Sequence, residues 1–189
     1  MTLKPGSKAC IAVTSGALLL SAAGLLLGRS PAGSAAGLAA GIAGSLLVGL
    51  GFAAVERPRA GITSLGAVGA LAASLAGFTA AVTGVLVLAS ALLGASWPVD
   101  LAMVLLVSSW LLGSAGLIVY GYAVYRGAGS PAGHLYLVSA LLLLAAPLVG
   151  SPVPAFVVMA VAGASSFKPI AWGTDKAGTT SINGGDGGG

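Results

Sequence analysis

Few residues in this 189-residue chain could do chemistry. Lys and Arg number 8, Asp and Glu 4, and His134 is the sole histidine. A metal site needs several His, Cys or carboxylate ligands whose spacing lets them converge. No His pair or carboxylate cluster offers one, and Cys10, the one cysteine, has no partner for an intramolecular disulfide. Acid–base catalysis needs a titratable group within hydrogen-bond reach of its target. His134 stands near Tyr136 without a titratable companion, and Glu56 and Asp100 lie far apart in sequence. Hydroxyls are plentiful (Thr14, Ser15, Ser45, Thr79, Thr83, Ser108, Ser109). Without an adjacent base they read as packing groups rather than nucleophiles. The expectation is no catalytic residue, no metal and no cofactor, in a protein that is not an enzyme.

The segments that must position these groups are long and uncharged. Hydrophobic residues make up 57 % of the chain and charged residues 6 %, where a soluble domain is about 25 % charged. The uncharged runs are 9–28, 30–55, 60–99, 101–125 and 127–167, the last broken only by His134. Crossing a bilayer takes about 20 apolar residues, within a range of roughly 17 to 25. These runs predict an integral, multi-pass protein of the cell membrane, an all-α polytopic helical bundle. No length remains for a soluble catalytic domain. The net charge of +4 then reads as topology determinants beside the spans, not as a nucleic-acid surface. No run of four Lys or Arg marks a lipid-headgroup patch. Cys10, where the first span begins, reads as a small apolar helix residue.

Six spans are predicted: Ala9–Leu27, Ser34–Val55, Thr63–Leu93, Leu101–Tyr125, Ala132–Val149 and a short Val153–Phe167. The first is longer than the apolar core of about 7–15 residues in a signal peptide, so it is expected to be retained. Read as one helix, the third spans roughly 45 Å at 1.5 Å per residue, longer than a hydrocarbon core of about 30 Å, so it must tilt or protrude. Arg29-Ser30-Pro31 and Trp97-Pro98-Val99-Asp100 read as loops, and Pro147, Pro152 and Pro154 around Gly150-Ser151 read as a tight hairpin. The span count follows from charge. Six spans put Lys4, Lys8, Arg57, Arg59, Arg126, Lys168 and Lys176 on one side and only Arg29 on the other. By the positive-inside rule both termini then face the cytoplasm. Glu56 and Asp100 fall on opposite faces of the membrane, where they cannot act as a pair.

Tyr120, Tyr122, Tyr125, Tyr136, Phe167 and Trp172 fall at the cytoplasmic boundary and Trp97 at the outer one, as an interfacial aromatic belt requires. Trp110 is expected mid-span, packed in the bundle or facing lipid. Residues 1–167 make up the transmembrane domain. Residues 168–189 are polar and Gly-rich and are expected to form a flexible cytoplasmic tail.

Small residues recur every fourth position in span two (Gly33, Gly37, Gly41, Ser45, Gly49, Ala53) and in span three (Gly69, Ala73, Gly77, Ala81). Span one adds Gly24 and Gly28. Such stripes let helix backbones approach closely in lipid. They predict a packing interface of Gly33, Gly37, Gly41, Ser45, Gly49, Gly69, Ala73 and Gly77 between spans two and three, with an oligomer interface as the alternative. A weak repeat at a separation of 70 pairs Gly51-Phe52-Ala53 with Gly121-Tyr122-Ala123, and Val68–Leu71 with Val138–Leu141.

Gly51-Phe52 with the loop to Leu65, the stretch Leu112–Tyr122 and Pro147–Gly150 together resemble a family of small archaeal polytopic membrane proteins of unknown function, found mainly in thermophilic crenarchaea. The resemblance implies a membrane address and an archaeal source. It transfers no activity and no functional residue. Absence of Gln and a single Asn, Asn183, fit avoidance of thermolabile amides.

No charge lies mid-span, which disfavours a proton- or ion-coupled carrier. The reading is a scaffold, assembly or accessory subunit acting through helix–helix interaction. The alternative is a small transporter or channel subunit for a neutral or weakly polar solute, with the hairpin around Gly150 as its path. Expected partners are membrane lipid and other membrane-protein subunits or a second copy, and not nucleic acid.

Overall fold

A computed structural model describes residues 5–55, 64–94, 96–128 and 130–166. The Glu56–Arg59 loop, Lys4, Phe167, Trp172 and the whole Gly-rich tail lie outside the described residues. The described chain is helical: α1 (Pro5–Leu26), α2 (Pro31–Ala53), α3 (Ser64–Leu93), α4 (Trp97–Ala128), α5 (Pro131–Val149) and α6 (Val153–Ser165). The first five are long and apolar enough to cross a membrane. The expected sixth span is a helix of 13 residues, about 20 Å long, which is below the length a lone span requires.

Serine–proline pairs start α2, α5 and α6. Ser30 caps α2 with its side chain accepting from Gly33 N, and Pro31 follows it. Ser130 does the same for α5 through Ala132 N, ahead of Pro131. Ser151 accepts from Val153 N at the head of α6. Proline suits the first helical turn, where its missing N–H would be unsatisfied anyway. The same logic corrects the expected Trp97–Asp100 loop, which is the first turn of α4. Pro98 is fully buried there, and Asp100 faces the positive end of the helix dipole. At the other end of α5, Gly150 takes φ 75° and its N–H bonds Ala146 O, so the chain reverses into α6.

Each helix packs on its chain neighbours, and α6 returns to pack on α1. The six helices therefore form a closed ring. Its core draws on every one of them: Val13 and Ala17, Val48 and Phe52, Ala70 and Ala73, Leu117, Tyr136 and Ala140, Met159 and Ala160. Large apolar side chains such as Leu18, Leu71, Leu75, Val82, Val104 and Leu141 point outward and are exposed. Apolar inside and apolar outside is the pattern of a bundle solvated by lipid.

Pro147 lies inside α5, not in the turn. A residue there would normally donate to the carbonyl of Leu143, four residues earlier. Proline has no N–H, so that carbonyl loses its helical partner. The Trp110 indole Nε1–H of α4 donates to it at 2.7 Å. The mid-span tryptophan thus takes the place of the missing backbone bond and ties α4 to α5. Trp110→Phe should cost about 1–2 kcal/mol, above the roughly 0.6 kcal/mol average for hydrogen bonds between membrane helices, because the carbonyl has no backbone alternative. In a Pro147→Ala background the helix supplies its own N–H, and the same substitution should cost much less. Equal losses on both backgrounds, measured by thermal unfolding in detergent, would refute this pairing.

Candidate functional site

The positions that set this structure are where helices cross. Four successive seams meet glycine to glycine. A Cβ built on Gly16 of α1 would lie 2.7 Å from Gly44 O of α2, and one on Gly44 2.8 Å from Gly16 O. On Gly77 of α3 it would lie 2.7 Å from Gly49 N of α2. On Gly69 it would lie 2.5 Å from Tyr120 N and 2.9 Å from Gly116 O of α4, and Gly116 is equally tight against Ala73 N at 2.6 Å. On Gly133 of α5 it would lie 2.5 Å from Tyr125 N and 2.8 Å from Gly121 O of α4. The last two seams use other small residues. Ser139 Oγ of α5 donates to Ala155 O of α6 at 2.9 Å. Gly163 of α6 sits against Thr14 of α1, whose hydroxyl is buried without a hydrogen-bond partner.

The eight predicted interface residues fall on these seams, but not on one face. Gly33 and Gly37 lie against the end of α1, near Leu26 O and Ala23 O. Gly41 has only Ala23 Cβ at 3.7 Å, an ordinary contact. Gly49 and the Ser45 carbonyl face α3 at Gly77. Gly69 and Ala73 face α4 rather than α2. The reason is helical geometry. A step of four residues turns about 400°, so a four-residue stripe drifts around the helix by about 40° per step. A step of seven drifts only about 20°. Gly37, Gly44 and Gly51 keep that seven-residue spacing, and all three face α1. Gly16, Gly44, Gly51, Gly116, Gly121, Gly133 and Gly163 are seam residues outside the predicted set, and the seven-residue period is the signal for Gly44 and Gly51.

In the ring centre Phe52 (α2), Tyr120 (α4) and Tyr136 (α5) meet edge to face. Their centroids are 5.3 Å (Phe52–Tyr120), 6.0 Å (Phe52–Tyr136) and 5.2 Å (Tyr120–Tyr136) apart. Such contacts stabilise by about 0.5–1.5 kcal/mol each beyond burial. The two Phe52 contacts connect α2 to α4 and α5, which are not its ring neighbours. Tyr120 and Tyr136 were expected in the interfacial belt. They occupy inward faces instead, while Tyr122, Tyr125 and Trp97 are exposed as a belt requires.

The remaining polar groups are local. Ser21, Thr79, Thr83, Ser108 and Ser114 each donate to a carbonyl four residues back in their own helix. They satisfy themselves rather than line a path. His134 is exposed, with its ring 4.3 Å from that of Tyr125. Asp100 is exposed at the opposite end of α4, and Glu56 lies outside the described residues. Comparison with protein-family models, with curated proteins and with solved structures finds no match to this chain.

The seams separate glycines that need their missing Cβ from one that does not. Gly116→Ala should lower stability by about 1–3 kcal/mol, since the added methyl meets backbone that cannot swing aside. Gly41→Ala should be neutral or slightly stabilising, because alanine is the better helix former by up to about 1 kcal/mol. Indistinguishable melting of the two variants would count against the seam geometry.

Proposed function

We propose that this protein is an integral membrane scaffold or accessory subunit, with both termini cytoplasmic, that works through helix contacts on its outer surface. The observation that carries the reading is the filled interior. Side chains from all six helices pack the ring centre, and Phe52, Tyr120 and Tyr136 close it. A neutral-solute path would need room where these rings touch. Ser21, Thr79, Thr83, Ser108 and Ser114 bond carbonyls of their own helices and so do not line a polar file across the bundle. What is left to act with is the outside. There α4 carries a shallow apolar groove of about 390 Å³ lined by Met103, Val104, Val107 and Ser108, of a kind that accepts the side chains of another helix. The resemblance to small archaeal membrane proteins supports the same address and supplies no activity.

Purification from native membranes in mild detergent tests the reading. The full chain should carry a membrane-protein partner, or a second copy, in fixed stoichiometry. Val104→Trp, which fills the groove, should weaken that association without lowering the melting temperature. A monomer without partners that catalyses saturable flux of a neutral solute in proteoliposomes would overturn the proposal in favour of a transporter.

A further inference from the structure

We infer that Tyr122, Tyr125, Arg126 and His134 form a binding site for the phosphate group of an anionic membrane lipid, at the end of the α4–α5 hairpin where both helices leave the bilayer. All four side chains are exposed. α4 and α5 touch at Gly133, whose missing side chain lets the α5 backbone settle on Tyr125, the residue next to Arg126. This close approach sets the Tyr125 ring against the His134 ring. One turn back on α4, Tyr122 lies under Arg126, with the guanidinium carbon 5.7 Å from the ring centroid. A guanidinium held over an aromatic face keeps its N–H edges outward, and those edges match a phosphate bidentately.

The charge here is uncompensated among the described residues. Their one carboxylate is Asp100, in the first turn of α4, while Arg126 is in the last turn of that 32-residue helix. About 39 Å of helix separates the two residues, so Asp100 cannot neutralise Arg126. The α5 terminus does not itself supply the anion site. Pro131 has no N–H, and the Ala132 and Gly133 N–H groups already bond Ser130. Recognition therefore rests on side chains. Two exposed tyrosines on the last turns of an apolar helix are placed for the headgroup level of a bilayer. A lipid meets the site with its phosphate at Arg126 and His134 and its chains along the apolar faces below. A free phosphate would gain only the first of these contacts. The sequence hides the site because Arg126 and His134 are single residues on two helices rather than a run.

The test measures binding to the purified full-length chain by native mass spectrometry, in detergent doped with phosphatidylglycerol or with phosphatidylcholine of the same acyl chains. Phosphatidylglycerol should bind at least about five-fold tighter, the effect of one basic residue at an anionic surface. Arg126→Gln should remove that preference. Arg126→Lys, which keeps the charge and loses the fork, should retain part of it. Tyr122→Leu should reduce it about two- to five-fold, as loss of an exposed cation–π contact would. Arg29→Gln, between α1 and α2, should leave it intact. Equal binding of the two lipids, full preference in Arg126→Gln, or an equal loss in Arg29→Gln would overturn the proposal. Displacement of the lipid by millimolar inorganic phosphate would also overturn it, by making the site one for a free anion.

Discussion

Close backbone approach is the constraint on which this structure depends. In lipid, burying a leucine against another helix gains little over leaving it in acyl chains, so helices associate through dispersion at short range and through the few hydrogen bonds they share. Short range requires that side chains be absent at the crossing points. The chain meets this with one small-residue crossing per seam: Gly16 with Gly44, Gly49 with Gly77, Gly69 with Gly116, Gly121 with Gly133, Ser139 with Ala155, and Thr14 with Gly163. Glycine and serine are weaker helix formers than alanine, but the surrounding bilayer enforces helix in any case, because an unpaired backbone amide in hydrocarbon costs several kcal/mol. The weakness is therefore tolerated, and the space is used.

The same rule governs the polar groups. A buried hydroxyl inside a span is costly without an acceptor, and Ser21, Thr79 and Ser114 find theirs one turn back. Where the helix itself fails to donate, a side chain crosses to the unserved carbonyl: Trp110 reaches the Leu143 oxygen that Pro147 leaves free. Ser139 crosses to α6, the shortest helix, which has the least backbone contact to offer. With the aromatic trio joining α2, α4 and α5 across the centre, these contacts make a closed, filled ring. A closed ring leaves chemistry to the rim and contact to the outer face, and that is why a scaffold with a lipid-binding edge fits this architecture better than a conduit.

Much of this was legible before the structure. Charges punctuate the uncharged runs so cleanly that each run maps onto one helix or one hairpin, and Ser30-Pro31 and Ser130-Pro131 sit where helices begin. The single long third helix followed from the charge bias that fixed six spans. Less legible were features that depend on which face meets which neighbour. A four-residue stripe looks like one face on paper and spirals across two in space, so Gly49 and Gly37 serve different partners. Tyr120 and Tyr122 are two residues apart and about 200° apart around the helix, which sends one inward and the other to the boundary. Trp110 could not be paired with Leu143 until the register of α4 on α5 was known.

Closure of the ring by α6 on α1 is the central claim, and it has a direct measurement. A Cβ on Gly24 of α1 would lie 4.0 Å from Val153 Cβ of α6, within the roughly 3.5–4.5 Å that a disulfide spans. In a Cys10→Ser background, the Gly24→Cys/Val153→Cys double variant should form an intramolecular disulfide on mild oxidation in the membrane. Gly24→Cys paired with Leu75→Cys on the outward face of α3 should not. Reactive thiols at 24 and 153 that stay unlinked within one chain, or that link only between chains, would contradict a ring closed by α1 and α6.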